Sequence, residues 1–532
     1  MKFPEKGSMS VFGKMCGRIL TAAVLLLMLF AGATVLSRNA FRGFNFFDMG
    51  SFLDASWRVF CGQAPYADFI FIAGPVHLWM NAFFFVLFGF GKAAVLAHLV
   101  AVQSIVILAT FFIASRFAPA WAAVLAAALS MVCFYWPISH PWYDQSAHFW
   151  GILGTAFLAR RIPAKTGRHA FWTGWVCAVL GIISLMTKAN IGAMYFLTYG
   201  VVLLFGGHGL AAAAGFLAGA GAATGGFLIL LRCPGRFFEQ TIAMYGRSNL
   251  CRFNQFADPR NWLFNFYWVP FGIVFVNFLF RPDKIRFLFP FFVLFAGVSA
   301  TALVSTLTGS MNPAANFPLW GIQVALALTV IGKDRETFTG FLAKGLYWVS
   351  LAAIVGTAVF FIKEAIPHGR NLTVWRYAGI NPDGDYEIRA APFRGWRCRR
   401  AAGEILDDMT DYVRREIPAK DSLLVLGDMQ ILYPLTGRES YRGIPFIFDV
   451  RRQFPLKNMP MPGAQTEEVR RNIFKNPPDW VIAYQGPSQL ETNFFVDRIV
   501  PRLGLSAFFE KNYDRVKKWG PYVLFKKKRA AS

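Results

Sequence analysis

Charge is scarce in this chain. Asp, Glu, Lys and Arg make up 16% of its 532 residues, against about 25% in ordinary soluble domains, which excludes a water-soluble globule throughout. Acid is scarcer still, with 30 Asp plus Glu against 54 Lys plus Arg and a formal net charge of +24. Seven cysteines are too few for a small disulfide scaffold. No Gly-rich phosphate loop, Ser/His/Asp set or Cys-x-x-Cys occurs, so no nucleotide, serine-hydrolase or dithiol chemistry is written in motifs. Nucleic acid is set aside despite the positive charge, because no nucleic-acid motif or basic helix with interleaved aromatics is present. Basic loop ends beside an anionic bilayer account for the excess. No internal repeat is apparent.

What the chain does have is apolar length. Hydrophobic residues reach 55%, aromatics 17%, Phe alone numbers 57, and mean hydropathy is +0.41. Disorder and collagen are thereby excluded. The first 362 residues hold 25 basic and 10 acidic groups and the remaining 170 hold 29 and 20, so a membrane block precedes a water-facing domain. A span needs about 20 apolar residues. Runs that meet or approach this are 18–36, 70–90, 93–115, 119–138, 146–160, 171–187, 190–207, 209–231, 263–281, 286–308, 315–332 and 343–362. The first, with its basic start and Ala31-Gly32-Ala33, has the outline of a signal peptide, but the many later runs favour an uncleaved span.

If all twelve runs cross, Arg160, Arg161, Lys165 and Arg168 fall outside, against the positive-inside rule. Making 70–90 re-entrant or interfacial repairs this. Gly74-Pro75-Val76-His77 and Asn81 are poor content for a lipid-facing span. The expected fold class is therefore a polytopic α-helical membrane protein of about eleven spans, with its amino terminus in the cytosol. Residues 37–92 form a large first outer loop, 232–262 another, and 363–532 a mixed α/β domain on the extracytoplasmic side. In that domain Leu423–Gly427 and Trp480–Tyr484 read as buried strands, and 400–416 and 466–474 as helices. The Arg394–Arg400 cluster reads as an exposed charged face. Cys61, Cys233, Cys251 and Cys398 fall outside, and Cys233 and Cys251 share one loop where they are candidates to bridge. Asp48, Asp54, Asp68 and Asp144 gather in the first two outer loops. Acids at a bilayer boundary are costly and commonly functional. Asp54 and Asp68 equally suit simple solvation of a loop, whereas Asp48 and Asp144 sit against apolar flanks and read as functional.

The first outer loop runs Phe46-Phe47-Asp48-Met49-Gly50, Trp57-Arg58, Gly62-Gln63-Ala64-Pro65-Tyr66-Ala67-Asp68-Phe69 and Gly74-Pro75. Later come Tyr143-Asp144, Leu185-Met186-Thr187-Lys188, Tyr433-Pro434-Leu435-Thr436-Gly437-Arg438 and Asn476-Pro477-Pro478-Asp479-Trp480-Val481-Ile482. In order and placement these phrases resemble the GT-C integral-membrane glycosyltransferases, most closely bacterial relatives of protein O-mannosyltransferases and the lipid A aminoarabinose transferase. Met49 stands where those enzymes usually carry Glu. The resemblance implies transfer of a sugar from a polyprenyl-phosphate carrier to a protein, lipid or polysaccharide acceptor at the outer face of the inner or plasma membrane.

That chemistry needs a base at the attacking hydroxyl and a cation at the leaving lipid phosphate. Asp48 matches the family's catalytic acid and is the candidate base, with Asp144 beside it to orient the acceptor or hold a metal. Lys188 is the first candidate for the phosphate, with snorkelling to the interface as the bland alternative; Arg247 and Arg252 are further candidates. Tyr66, Asp68 and His77 are assigned to a substrate loop. His140, Asp144 and His148 recur at spacing four and suit a divalent ion, but Pro141 interrupts a helix through His140, and no metal ligand is assigned. Two other readings stay open: a lipid-linked glycan transporter, and a non-catalytic assembly protein on a degenerate scaffold.

Overall fold

The computed structural model describes residues 11–44, 46–135, 140–162, 167–205, 209–244, 384–445, 463–485 and 499–528, with scattered residues between 293 and 356. Its helices in chain order are α1 (Val11–Asn39), α2 (Ser51–Phe60), α3 (Val76–Phe88), α4 (Lys92–Ala114), α5 (Ala120–Cys133), α6 (Tyr143–Arg161), α7 (Arg168–Leu185), α8 (Ala189–Phe205), α9 (Gly209–Leu230) and α10 (Pro234–Phe237). A π-helical turn, Phe46–Gly50, winds directly into α2, and a second, Phe238–Met244, follows α10. Pro75 and Pro119 stand immediately before α3 and α5, where a residue without an N–H leaves no helical donor unmet.

Among the described residues α1, α4, α7 and α9 are long and apolar enough to cross a bilayer, and the chain is an integral membrane protein. Helix α3 has 13 residues, about 20 Å at 1.5 Å per residue and short of the hydrocarbon thickness of about 30 Å. The 70–90 run therefore forms a short helix behind an irregular entry. The spans expected at 263–281, 286–308, 315–332 and 343–362 lie largely outside the described residues. Helices α7 and α9 pack at backbone distance: a Cβ on Gly215 would collide with the Phe171 carbonyl, and small residues permit this approach where lipid offers no hydrophobic drive.

The C-terminal region adds α11 (Arg400–Glu416), α12 (Leu432–Thr436), α13 (Gly463–Lys475), α14 (Ile499–Arg502) and α15 (Ser506–Asn512). Strands β1 (Tyr386–Glu387) and β2 (Arg397–Cys398) form an antiparallel hairpin. Strands β3 (Leu423–Leu426), β4 (Trp480–Tyr484), β5 (Tyr513–Trp519) and β6 (Tyr522–Lys527) form one sheet in the order β3-β4-β6-β5. Strands β3 and β4 are parallel, joined through α12 and α13, and buried at every residue, as their unbroken apolar runs require. The two expected strands and two expected helices all form.

Candidate active site

The site is built where four of the sequence phrases converge. Helix α6 begins at Tyr143, after extended Trp142, as Pro141 dictates. Asp144 thus lies in its first turn, where the helix dipole favours a negative charge. Lys188 lies three residues beyond the end of α7, its amide bonded to the Ser184 carbonyl at 2.9 Å, and it starts the turn into α8. Ser184 Oγ donates to the Ala147 carbonyl at 2.8 Å and fixes α7 against α6. The Lys188 ammonium donates to the Asp144 carboxylate, and both side chains are almost fully buried, at 3% and 1% exposure. Its Nζ also lies 4.7 Å from the centroid of the Tyr143 ring. These two residues, 44 positions apart, form one ion pair at the mouth of two helices.

The first outer loop folds down onto this pair. Val76 N–H reaches the Met186 carbonyl at 3.4 Å, and a Cβ on Gly74 would overlap that same carbonyl. Only glycine allows the Gly-Pro phrase to lie on Leu185-Met186-Thr187-Lys188. Tyr66 holds the approach: its backbone is left-handed at φ +68, its ring is buried against Phe237 at 5.3 Å, and its hydroxyl donates to the carbonyl of Ala73. Phe52 of α2 stacks on Tyr143, with centroids 5.1 Å apart and planes at 20°. The backbone of Asp48 lies in the π-helical turn four residues ahead of Phe52. The Asp48 side chain, Arg247, Arg252 and Cys251 lie outside the described residues.

Beside the pair runs a buried polar chain that the sequence disclosed only in part. His77 Nδ1 lies 2.9 Å from Ser146 Oγ, and its Nε2 lies 3.1 Å from Asn81 Nδ2. Asn81 also donates to Ser56 Oγ at 3.1 Å, and its Oδ1 meets His98 Nδ1 at 2.6 Å. With the amide in this orientation, His77 Nε2 accepts and each histidine carries a proton on Nδ1. The chain ties α2, α3, α4 and α6 together. Asn81 and His98 announce themselves as polar groups inside apolar runs, but nothing in the sequence joins them. His148 Nδ1 meets the Tyr195 hydroxyl at 3.0 Å. Among the described residues no three His, Cys, Asp or Glu side chains group to hold a metal, and Asp144 is engaged by Lys188, so the His140–Asp144–His148 spacing does not become a ligand set.

Asp54 and Asp68 serve the contact with the C-terminal region. Asp54 and Arg58 form a salt bridge at 2.7 Å with both side chains fully buried. Ser440 Oγ donates to the other Asp54 oxygen, while Arg58 Nη1 donates to the Tyr441 carbonyl at 2.7 Å. Burial pushes the Asp54 carboxyl above its ordinary value, and the Arg58 charge and the hydrogen bonds from Ser440 and Arg58 pull against it. Trp57 Nε1 donates to the Arg438 carbonyl at 2.8 Å. Asp68 accepts from the Ala64 amide at 2.7 Å and meets Arg442 at 3.3 Å.

No family model matches the chain, and no curated protein matches its sequence significantly. Solved structures do. ArnT from Cupriavidus metallidurans, bound to undecaprenyl phosphate, is 14% identical with a TM-score of 0.50, covering 97% of this chain and 98% of that one. The oligosaccharyltransferase of Archaeoglobus fulgidus in its apo form is 11% identical with a TM-score of 0.48, covering 87% and 69%. The likeness to ArnT extends along nearly the whole of both chains and shows that this protein shares that fold.

Proposed function

We propose that this protein is a membrane glycosyltransferase that moves a sugar from a polyprenyl-phosphate carrier to an acceptor at the extracytoplasmic face. Residues 1–362 form the catalytic membrane block of about eleven spans, and 363–532 form an outer domain that covers the site or recognises the acceptor. The buried Asp144–Lys188 pair beneath the first outer loop, on a GT-C fold, carries this reading. A desolvated ammonium held by one carboxylate is a fixed cation, and its other N–H donors suit a phosphate oxygen. ArnT was solved with undecaprenyl phosphate, the class of carrier proposed here.

In the proposed reaction the acceptor oxygen attacks the anomeric carbon and its proton passes to Asp48. The bond from that carbon to the lipid-phosphate oxygen breaks, and the phosphate leaves with the bonding pair. Lys188 stabilises the departing phosphate, with Arg247 and Arg252 as further partners, while Asp144 sets the ammonium in place. Tyr66 shapes the loop that delivers Gly74 and Pro75 to the pair, and Asp68 and His77 anchor that loop at either end. Asp48→Asn is expected to abolish transfer of sugar from the polyprenyl-phosphate donor while membrane insertion is retained. Normal transfer by that variant removes Asp48 as the base.

One observation favours a second reading. Met49, which takes the place of the usual acid, is buried in the apolar core, as suits a degenerate scaffold with an assembly role. Retained binding of polyprenyl phosphate without turnover on any acceptor selects it.

A further inference from the structure

We propose that the arginines around the β1–β2 hairpin form a docking collar for the headgroups of anionic bilayer phospholipids. The hairpin is fixed at the level where two apolar helices end. Just beyond the C-terminus of α1, Phe44 N–H donates to the Arg397 carbonyl and Arg397 N–H to the Phe41 carbonyl, each at 2.8 Å. At the first residue of α4, Lys92 Nζ donates to the Arg394 carbonyl at 3.0 Å. Helices α1 and α4 pack on one another and each is long and apolar enough to span. The end of one and the start of the other therefore mark a single membrane face, and the hairpin sits on both.

The hairpin is also rigid there. Trp396 and Phe393 are fully buried. The Trp396 ring meets Phe41, Phe44 and Phe393 at 5.4, 5.0 and 4.5 Å, and Phe393 meets Phe90 at 5.2 Å. From this plug Arg38, Arg42, Arg394 and Arg397 reach solvent. Arg389 and Arg400 nearby are paired with Asp407 and Asp385, but these four have no carboxylate partner among the described residues. Four exposed guanidiniums at headgroup height fit phosphodiester oxygens, which the planar fork of Arg binds in bidentate fashion. On the face assigned to the C-terminal region the positive-inside rule leaves such charge unexplained, and lipid phosphate supplies the reason.

The test uses delipidated full-length protein in detergent, titrated with phosphatidylglycerol or with phosphatidylcholine of the same acyl chains and read by native mass spectrometry. The unsubstituted protein is expected to retain phosphatidylglycerol preferentially. R38Q/R42Q/R394Q/R397Q is expected to lose that preference by at least about five-fold, whereas R515Q/K518Q on edge strand β5 keeps it. R394Q/R397Q and R38Q/R42Q alone should each lose part, which protects the result if the fourfold variant folds poorly. An undiminished preference in all three collar variants overturns the proposal, as does an equal drop in the β5 control. Displacement of the phosphatidylglycerol by equimolar undecaprenyl phosphate would overturn it too, because the patch would then belong to the carrier.

Discussion

Removing one half of the Asp144–Lys188 pair separates its structural role from its chemical one. Lys188→Gln takes the ammonium away from a carboxylate at about 1% exposure, and loss of one member of a buried pair costs about 3–5 kcal/mol. The lost contact with Tyr143 adds about 1 kcal/mol, while the N-terminal dipole of α6 returns a similar amount to Asp144. Asp144→Asn strands the ammonium instead and falls in the same range of about 3–5 kcal/mol. The double variant D144N/K188Q leaves no uncompensated charge, so it should lie within about 1–2 kcal/mol of the unsubstituted protein. Unfolding in mixed micelles titrated with sodium dodecyl sulfate measures all three. Transfer from a panel of polyprenyl-phosphate hexoses and pentoses is assayed in the same samples, and the double variant should recover stability without recovering transfer. Singles within about 1 kcal/mol of the parent would refute the buried-pair argument. Full transfer by the double variant would refute the need for a cation at that place.

Gly74→Ala should lower both stability and transfer, because the added methyl occupies the position of the Met186 carbonyl; a thermal melt and a transfer assay equal to the parent would contradict this. Arg58→Ala leaves the buried Asp54 carboxylate with only Ser440, at a cost of about 3–5 kcal/mol, and should make the segment 438–445 sensitive to limited proteolysis, whereas Ser440→Ala should cost about 1–2 kcal/mol. Glu439 is held below its ordinary value of 4.5, first by the hydrogen bond from Arg442. Its contribution to stability is therefore complete above that value and disappears as pH falls through the lower folded-state value. Arg442→Gln should flatten that part of the stability profile, and an unchanged acid limb in pH-resolved melts would count against it.

The apolar runs marked α1, α4, α6, α7, α8 and α9 to within a few residues at most ends, since hydropathy and length alone decide a span. That the 70–90 run begins irregularly and yields only a short helix was legible, because Gly74, Pro75 and Asn81 are ill suited to a lipid-facing span. Pro141 likewise set the start of α6. Pairing was not legible: the sequence marks Asp144 and Lys188 separately, as an acceptor group and a phosphate cation, because no local rule joins residues from two helix mouths. By sequence alone, Asp54 and Asp68 equally suit solvating a loop. Their partners Ser440 and Arg442 lie in a distant part of the chain whose contact with the loop no periodicity reports. The Ser56–Asn81–His98 links are not legible for the same reason, although a histidine and an amide within apolar helices signal that some partner must exist.

The bond between Ser440 and Asp54 closes a ring of chain 386 residues long. During synthesis, Asp54 and Arg58 are therefore made long before the residues that seal them exist. Until the tail arrives, an apolar-flanked ion pair, the Trp57 indole and Gln63 stand open to the aqueous side. A truncated or stalled product thus displays a patch that the finished molecule never shows.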